Sequence, residues 1–89
     1  MIGPWILIKM PTSLRIGPYR FFFYAGDRNE PVHAHVQRDD AEAKFWLNPV
    51  RLAWNRGFSG AELRRIERTA EENESRLMEI WNDYFDLGE

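Results

Sequence analysis

The chain contains no cysteine, which excludes a disulfide framework and any thiolate metal site. Histidine is nearly as scarce, with His33 and His35 the only two. Long apolar runs are missing too. The most apolar stretch, Ile2-Gly3-Pro4-Trp5-Ile6-Leu7-Ile8, falls far short of the ~20 residues of a membrane-spanning helix. It has neither the basic flank nor the small-residue cleavage motif of a signal peptide. There is no internal repeat, linker or low-complexity segment, and 89 residues make one small core. A cysteine-free domain of this size suits a reducing cytosol. Met10-Pro11-Thr12 reads as a natural beginning, so residues 1–9 are taken as an N-terminal extension and residues 10–89 as a single domain.

What the chain has in abundance is aromatic surface: four Trp, six Phe and three Tyr, so much of its apolar area comes from a few large rings. The net charge of −2 conceals an asymmetry. Residues 1–70 carry a net +4 and residues 71–89 a net −6. The acidic end argues against nucleic-acid binding over the whole surface and leaves room for a local basic patch.

The local pattern predicts an antiparallel meander followed by a helix. Leu14-Arg15-Ile16 reads as a strand and Gly17-Pro18 as a turn. Tyr19 to Ala25, aromatic at almost every position, suits a central strand buried on both faces. Gly26 to Pro31 is dense in turn formers. Val32 to Arg38 and Ala41 to Leu47 are strands separated by Asp39-Asp40. Asn48-Pro49 is the next turn. Val50 to Asn55 fits a short helix on its caps and a strand on its alternation, and the strand is preferred for the pairing that it gives.

With two-residue turns at Asp39-Asp40 and Asn48-Pro49, His35 lies opposite Lys44 and His33 opposite Trp46. Phe45 then faces Leu52, and Ala43 faces Trp54. One sheet face collects Val32, Ala34, Val36, Ala43, Phe45, Leu47, Val50, Leu52 and Trp54, all apolar. The other collects His33, His35, Gln37, Glu42, Lys44, Trp46, Arg51, Ala53 and Asn55. A slip of one residue would scramble both sets, so the sorting itself supports the register. Ser59-Gly60-Ala61-Glu62 is a capping box. From it, Leu63, Ile66, Ala70, Asn73, Leu77, Ile80 or Trp81, and Tyr84 form the stripe of one long helix to about Phe85, which covers the apolar face. The expected fold is α+β, four or five antiparallel strands with one C-terminal helix. Asn73 is expected as a hydrogen-bonded amide or a rim residue, and Asp83, Asp86 and Glu89 as a frayed acidic end.

The histidine face is then uncovered and core burial of the imidazoles is not expected. Arg20, Phe22 and Tyr24 of the aromatic strand join His33, His35, Glu42, Lys44, Trp46 and Arg51 there. Imidazoles can move protons at a ribose hydroxyl near neutral pH, with Lys44 and Arg20 or Arg51 stabilising phosphate charge and Trp46 and Tyr24 stacking bases. Alternatively, the same face docks a protein or a nucleic acid without catalysis. Two imidazoles with an oxygen from Glu42, Glu30 or Asp27 would suit a metal, but a lysine opposite His35 would repel a divalent ion, so no metal and no cofactor is expected. An ordinary solvated sheet face, with Glu42 and Lys44 in routine cross-strand pairs, would use the same residue types.

Met10-Pro11-Thr12, Leu14-Arg15-Ile16, Tyr19-Arg20-Phe21-Phe22-Phe23-Tyr24, Pro31-x-His33-x-His35-Val36, Ala43-Lys44-Phe45-Trp46-Leu47 and Glu79-Ile80-Trp81 together resemble a family of small bacterial proteins, domain of unknown function (DUF) family 4160. The resemblance covers nearly the whole chain from Met10. Val32 stands where that family usually has a second proline. The resemblance implies a cytoplasmic bacterial protein, often encoded beside a member of DUF family 2442 in what looks like a toxin–antitoxin pair. The present type of chain would be the toxin-like component with an antitoxin-like protein as partner, and the resemblance raises the RNA-acting and the partner-docking readings of the histidine face above that of an ordinary solvated face. The family's biochemistry is not established, and the resemblance leaves open whether the chain is an enzyme.

Overall fold

Five consecutive strands pair in sequence order as one antiparallel meander: β1 (Lys9–Ile16), β2 (Tyr19–Tyr24), β3 (His33–Arg38), β4 (Ala41–Trp46) and β5 (Arg51–Arg56). Helices α1 (Gly60–Glu72) and α2 (Glu74–Phe85) follow. The computed structural model describes residues 9–85, with side chains from Leu14 onward. The proposed extension up to Ile8, and the acidic Asp86 and Glu89, lie outside the described residues. Among the described residues no helix is long and apolar enough to cross a membrane.

The turns use residues that tolerate a left-handed backbone. Gly17 has φ +58°, Asp39 +54° and Asn48 +64°. Between β3 and β4 the register is the expected one, with His33 opposite Trp46, His35 opposite Lys44 and Arg38 opposite Ala41. The β2–β3 register, which spacing alone does not supply, puts Phe22 opposite His35 and Arg20 opposite Gln37.

The β4–β5 pairing departs from simple alternation. Phe45 faces Leu52 as expected, but Lys44, not Ala43, faces Trp54. The irregularity leaves Ala53 as an extra residue, a β-bulge that shifts the rest of β5 to the opposite face. Trp54 therefore belongs to the histidine face rather than to the apolar one. Leu52 and Trp54 are also exposed, not core.

The core lies between the sheet and the helices. Tyr19, Phe21, Phe23, Ala34, Val36, Ala43 and Phe45 from the strands pack with Ile66, Ala70, Leu77 and Trp81. The four helical positions recur at spacings of four, seven and four, which keeps them on one side. Each fully buried Phe, Ile or Leu side chain contributes roughly 1.5–3 kcal/mol.

The expected single helix is two. Asn73 interrupts it with φ −117° and ψ 16°, and its Nδ2 donates to the Thr69 carbonyl at 2.8 Å. An amide side chain that takes a helix carbonyl competes with the helical ladder, which accounts for the break. Glu74 opens α2 and accepts the Asn48 backbone N–H at 2.7 Å, clamping the β4–β5 turn to the helix start. At the other end of α1, Ser59 Oγ accepts the Glu62 N–H at 3.1 Å. The Glu62 carboxylate is committed elsewhere, to a two-pronged contact from Arg38 (2.6 and 2.7 Å) and to the Tyr19 hydroxyl at 2.8 Å. Helix α1 is thereby pinned to β2 and β3.

Candidate functional site

Alternation along β3 sends His33 and His35 to the face away from the helices, as spacing dictates. They are nevertheless buried, at 0% and 5% exposure. The expectation of an exposed imidazole face is thus corrected, and the cover comes from the neighbouring turn and from three tryptophans. Residues 25–29 form a 3-10 helix that returns the chain from β2 to β3 and carries Asp27, itself buried, onto both rings. Phe22 stacks on His35 at 5.5 Å between centroids, and the rings of Tyr24 and Trp54 lie 4.6 and 6.2 Å from it. Trp46 and Trp81 meet His33 at 5.6 and 5.0 Å. Trp81 also packs on Phe23, so this one ring joins the core to the histidine cluster.

Asp27 Oδ2 is the hub. It accepts the Tyr24 backbone N–H at 2.8 Å, lies 3.2 Å from His35 Nε2 and 3.1 Å from His33 Nε2. Burial alone would raise the Asp27 carboxyl, but the contacts with His33 and His35 and the Tyr24 amide outweigh it and hold the group far below the usual carboxylate range. The far nitrogens also face oxygens. His33 Nδ1 is 2.8 Å from the Pro31 carbonyl, and His35 Nδ1 is 3.5 Å from Glu42 Oε2. A carbonyl only accepts, so His33 Nδ1 carries the proton. His33 Nε2, although 3.1 Å from Asp27 Oδ2, is buried without a hydrogen-bond partner, as is His35 Nδ1.

The remaining expected site residues divide into those at the cluster and those beside it. Tyr24 donates to Glu42 Oε2 at 3.2 Å, and Glu42 is buried, so both belong to the cluster. Desolvation raises the Tyr24 hydroxyl, and the nearby Glu42 charge adds to that shift. Trp46 belongs through its contact with His33. Lys44 does not aim at the imidazoles: its Nζ lies 2.5 Å from Glu30 and 4.5 Å above the Trp46 ring. Its charge is compensated, which removes the repulsion that spacing alone implied. Arg20 sits over the Phe22 ring at 4.8 Å and reaches Gln37 at 3.3 Å. Arg51 is exposed opposite Trp46.

Sequence reasoning underweighted Asp27 and missed Trp54 and Trp81. Asp27 had a signal, since a Gly-Asp pair at the exit of one strand can cap the turn back into the next. Trp54 had none, because the bulge that redirects it is not encoded by alternation. No curated protein and no solved structure matches the chain. A family model, Domain of unknown function (DUF4160), matches residues 19–82. That span runs from the start of β2 through most of α2, and contains Asp27, His33, His35 and Trp81. The chain belongs to the DUF4160 family.

Proposed function

We propose that the domain is a docking module for a cognate protein, the antitoxin-like component of a two-protein bacterial system, and that the contact is made along β5. The observation that carries this is the exposure of Leu52 (45%) and Trp54 (39%) on a strand at the sheet border. An edge strand offers unpaired backbone N–H and C=O groups, and large exposed apolar side chains on it are a liability unless something covers them. Arg51 and Arg56 flank them, also exposed, and the strand carries no acid. The matching partner is an extended segment with apolar and acidic residues, added as a sixth strand. Co-expression with the protein encoded next door, followed by calorimetry, tests this. Trp54→Ala and Leu52→Glu are each expected to raise Kd by about 30-fold or more, as central anchors do. A complex that ignores both substitutions, or no complex at all, overturns the reading.

Action on RNA is the second reading, with His33 and His35 as the acid/base pair and Arg20, Lys44, Trp46 and Tyr24 as phosphate and base contacts. Its support is a hollow of about 400 Å³ lined in part by Arg15, Arg20 and Arg38 together with Asp39, where Arg15 and Arg20 offer positive charge to a phosphate. The burial of both imidazoles weighs against direct access to a ribose, which is why docking is preferred. The same expression strains decide between the two. Degraded bulk RNA with the wild type, lost in folded His33→Ala/His35→Ala, would favour the enzyme; intact RNA would remove it.

A further inference from the structure

We infer that Asp27, His33 and His35 form a binding site for one divalent first-row transition-metal ion of the Zn(II) type, independent of the docking reading. Asp27, His33 and His35 place one ligand atom each within 4.8 Å of one another. The separations from Asp27 Oδ2 to the two Nε2 atoms, 3.1 and 3.2 Å, approach the ligand–ligand edge of about 3.3 Å that a tetrahedron with bonds near 2.05 Å requires, while the edge between the two nitrogens, within 4.8 Å, closes as the rings turn onto the ion. Two imidazoles and one carboxylate, with no thiolate in the chain, make a donor set for zinc, ferrous or cobaltous ions rather than for calcium or magnesium.

The independent observation is the electrostatic conflict at His33. Its Nδ1–H is fixed on the Pro31 carbonyl, so a neutral ring turns its Nε2 lone pair toward an anionic oxygen 3.1 Å away. That nitrogen is fully buried and has no hydrogen-bond partner. A buried imidazole nitrogen facing a carboxylate needs a cation at that spot, either a proton on the ring or a metal ion between the two. A metal ion there would accept both.

The surrounding groups are those that orient metal ligands. The Pro31 carbonyl fixes the His33 tautomer, and the Tyr24 amide holds Asp27. Glu42 lies behind His35 at 3.5 Å, a further carboxylate to balance the ion's charge, and Glu30 lies behind His33 at 3.8 Å. Glu30 also neutralises Lys44.

The test is titration of the chelator-stripped full chain with Zn(II) and with Co(II). The expected result is one equivalent bound, a visible Co(II) band of low symmetry, and shifts of the His33 and His35 ring resonances in the wild-type protein on zinc addition. Asp27→Asn and His33→Gln should weaken binding by more than about 100-fold, and Glu42→Gln by about 10-fold. No uptake at micromolar metal overturns the proposal, as does binding that leaves both ring signals unmoved. Nitrogen-15 spectra of the metal-free protein that stay unchanged on zinc addition, with His33 doubly protonated, would assign the cation to a proton instead and equally overturn it.

Discussion

Residue identity matters most at Glu62, which links three elements. Arg38 grips its carboxylate with two donors and Tyr19 adds a third. The hydrogen bonds from Arg38, and then from Tyr19, hold the Glu62 carboxyl below its ordinary value. The same contact, with the Arg38 hydrogen bond to Glu62 as the largest cause, raises the Arg38 guanidinium. A carboxyl with a lowered folded-state pKa stabilises the fold fully above the unfolded value of about 4.3, and that stabilisation is lost as pH falls through the lower folded value. Glu62→Gln is therefore expected to reduce stability at pH 7, with the difference from wild type shrinking below about pH 4. Urea midpoints across that range check it; a difference constant from pH 7 to pH 3 would refute the assignment. His33 and His35 illustrate the other limit of residue-level reading. Their shared face followed from spacing, but their burial depends on Asp27, Trp46, Trp54 and Trp81, which come from four other segments.

At the scale of elements, single residues set where each strand and helix ends. Ala53 in the bulge turns Trp54 toward His35, and Asn73 divides the helical segment in two. Gly57 forms the joint from sheet to helix with φ +103°, and a Cβ there would meet Ala41 Cβ at 3.1 Å and Ala41 Cα at 3.2 Å. The backbone conformation alone disfavours a side chain by about 1–2 kcal/mol. Gly57→Ala is expected to cost at least that much in chemical denaturation, with wild-type secondary structure kept. A neutral result would mean that the joint relaxes freely. The β3–β4 pairing was legible because it depends on a short turn and strict alternation, and the β4–β5 pairing only as far as the bulge at Ala53. The β2–β3 register was not legible, because a longer loop joins those strands and both faces of β2 are buried.

For the molecule as a whole, the two layers meet at Ile66, fully buried beneath α1. Ile66→Ala is expected to cost about 2–5 kcal/mol. Far-UV circular dichroism and tryptophan fluorescence should lose signal together, since one core of this size unfolds as a unit. Separate transitions would show that sheet and helices are independent.

The sequence by itself determined the α+β class, the order of strands, the register of the β3–β4 hairpin and the shared face of the two histidines. All of these follow from periodicity and turn chemistry over a few neighbouring residues. Only the tertiary structure decided that the imidazoles are buried and converge on Asp27, that Lys44 belongs to Glu30, and that Trp54 joins their face. Those outcomes depend on a bulge, a 3-10 return and a tryptophan from the far end of the chain. Contacts between distant segments are set by packing, which no local pattern records.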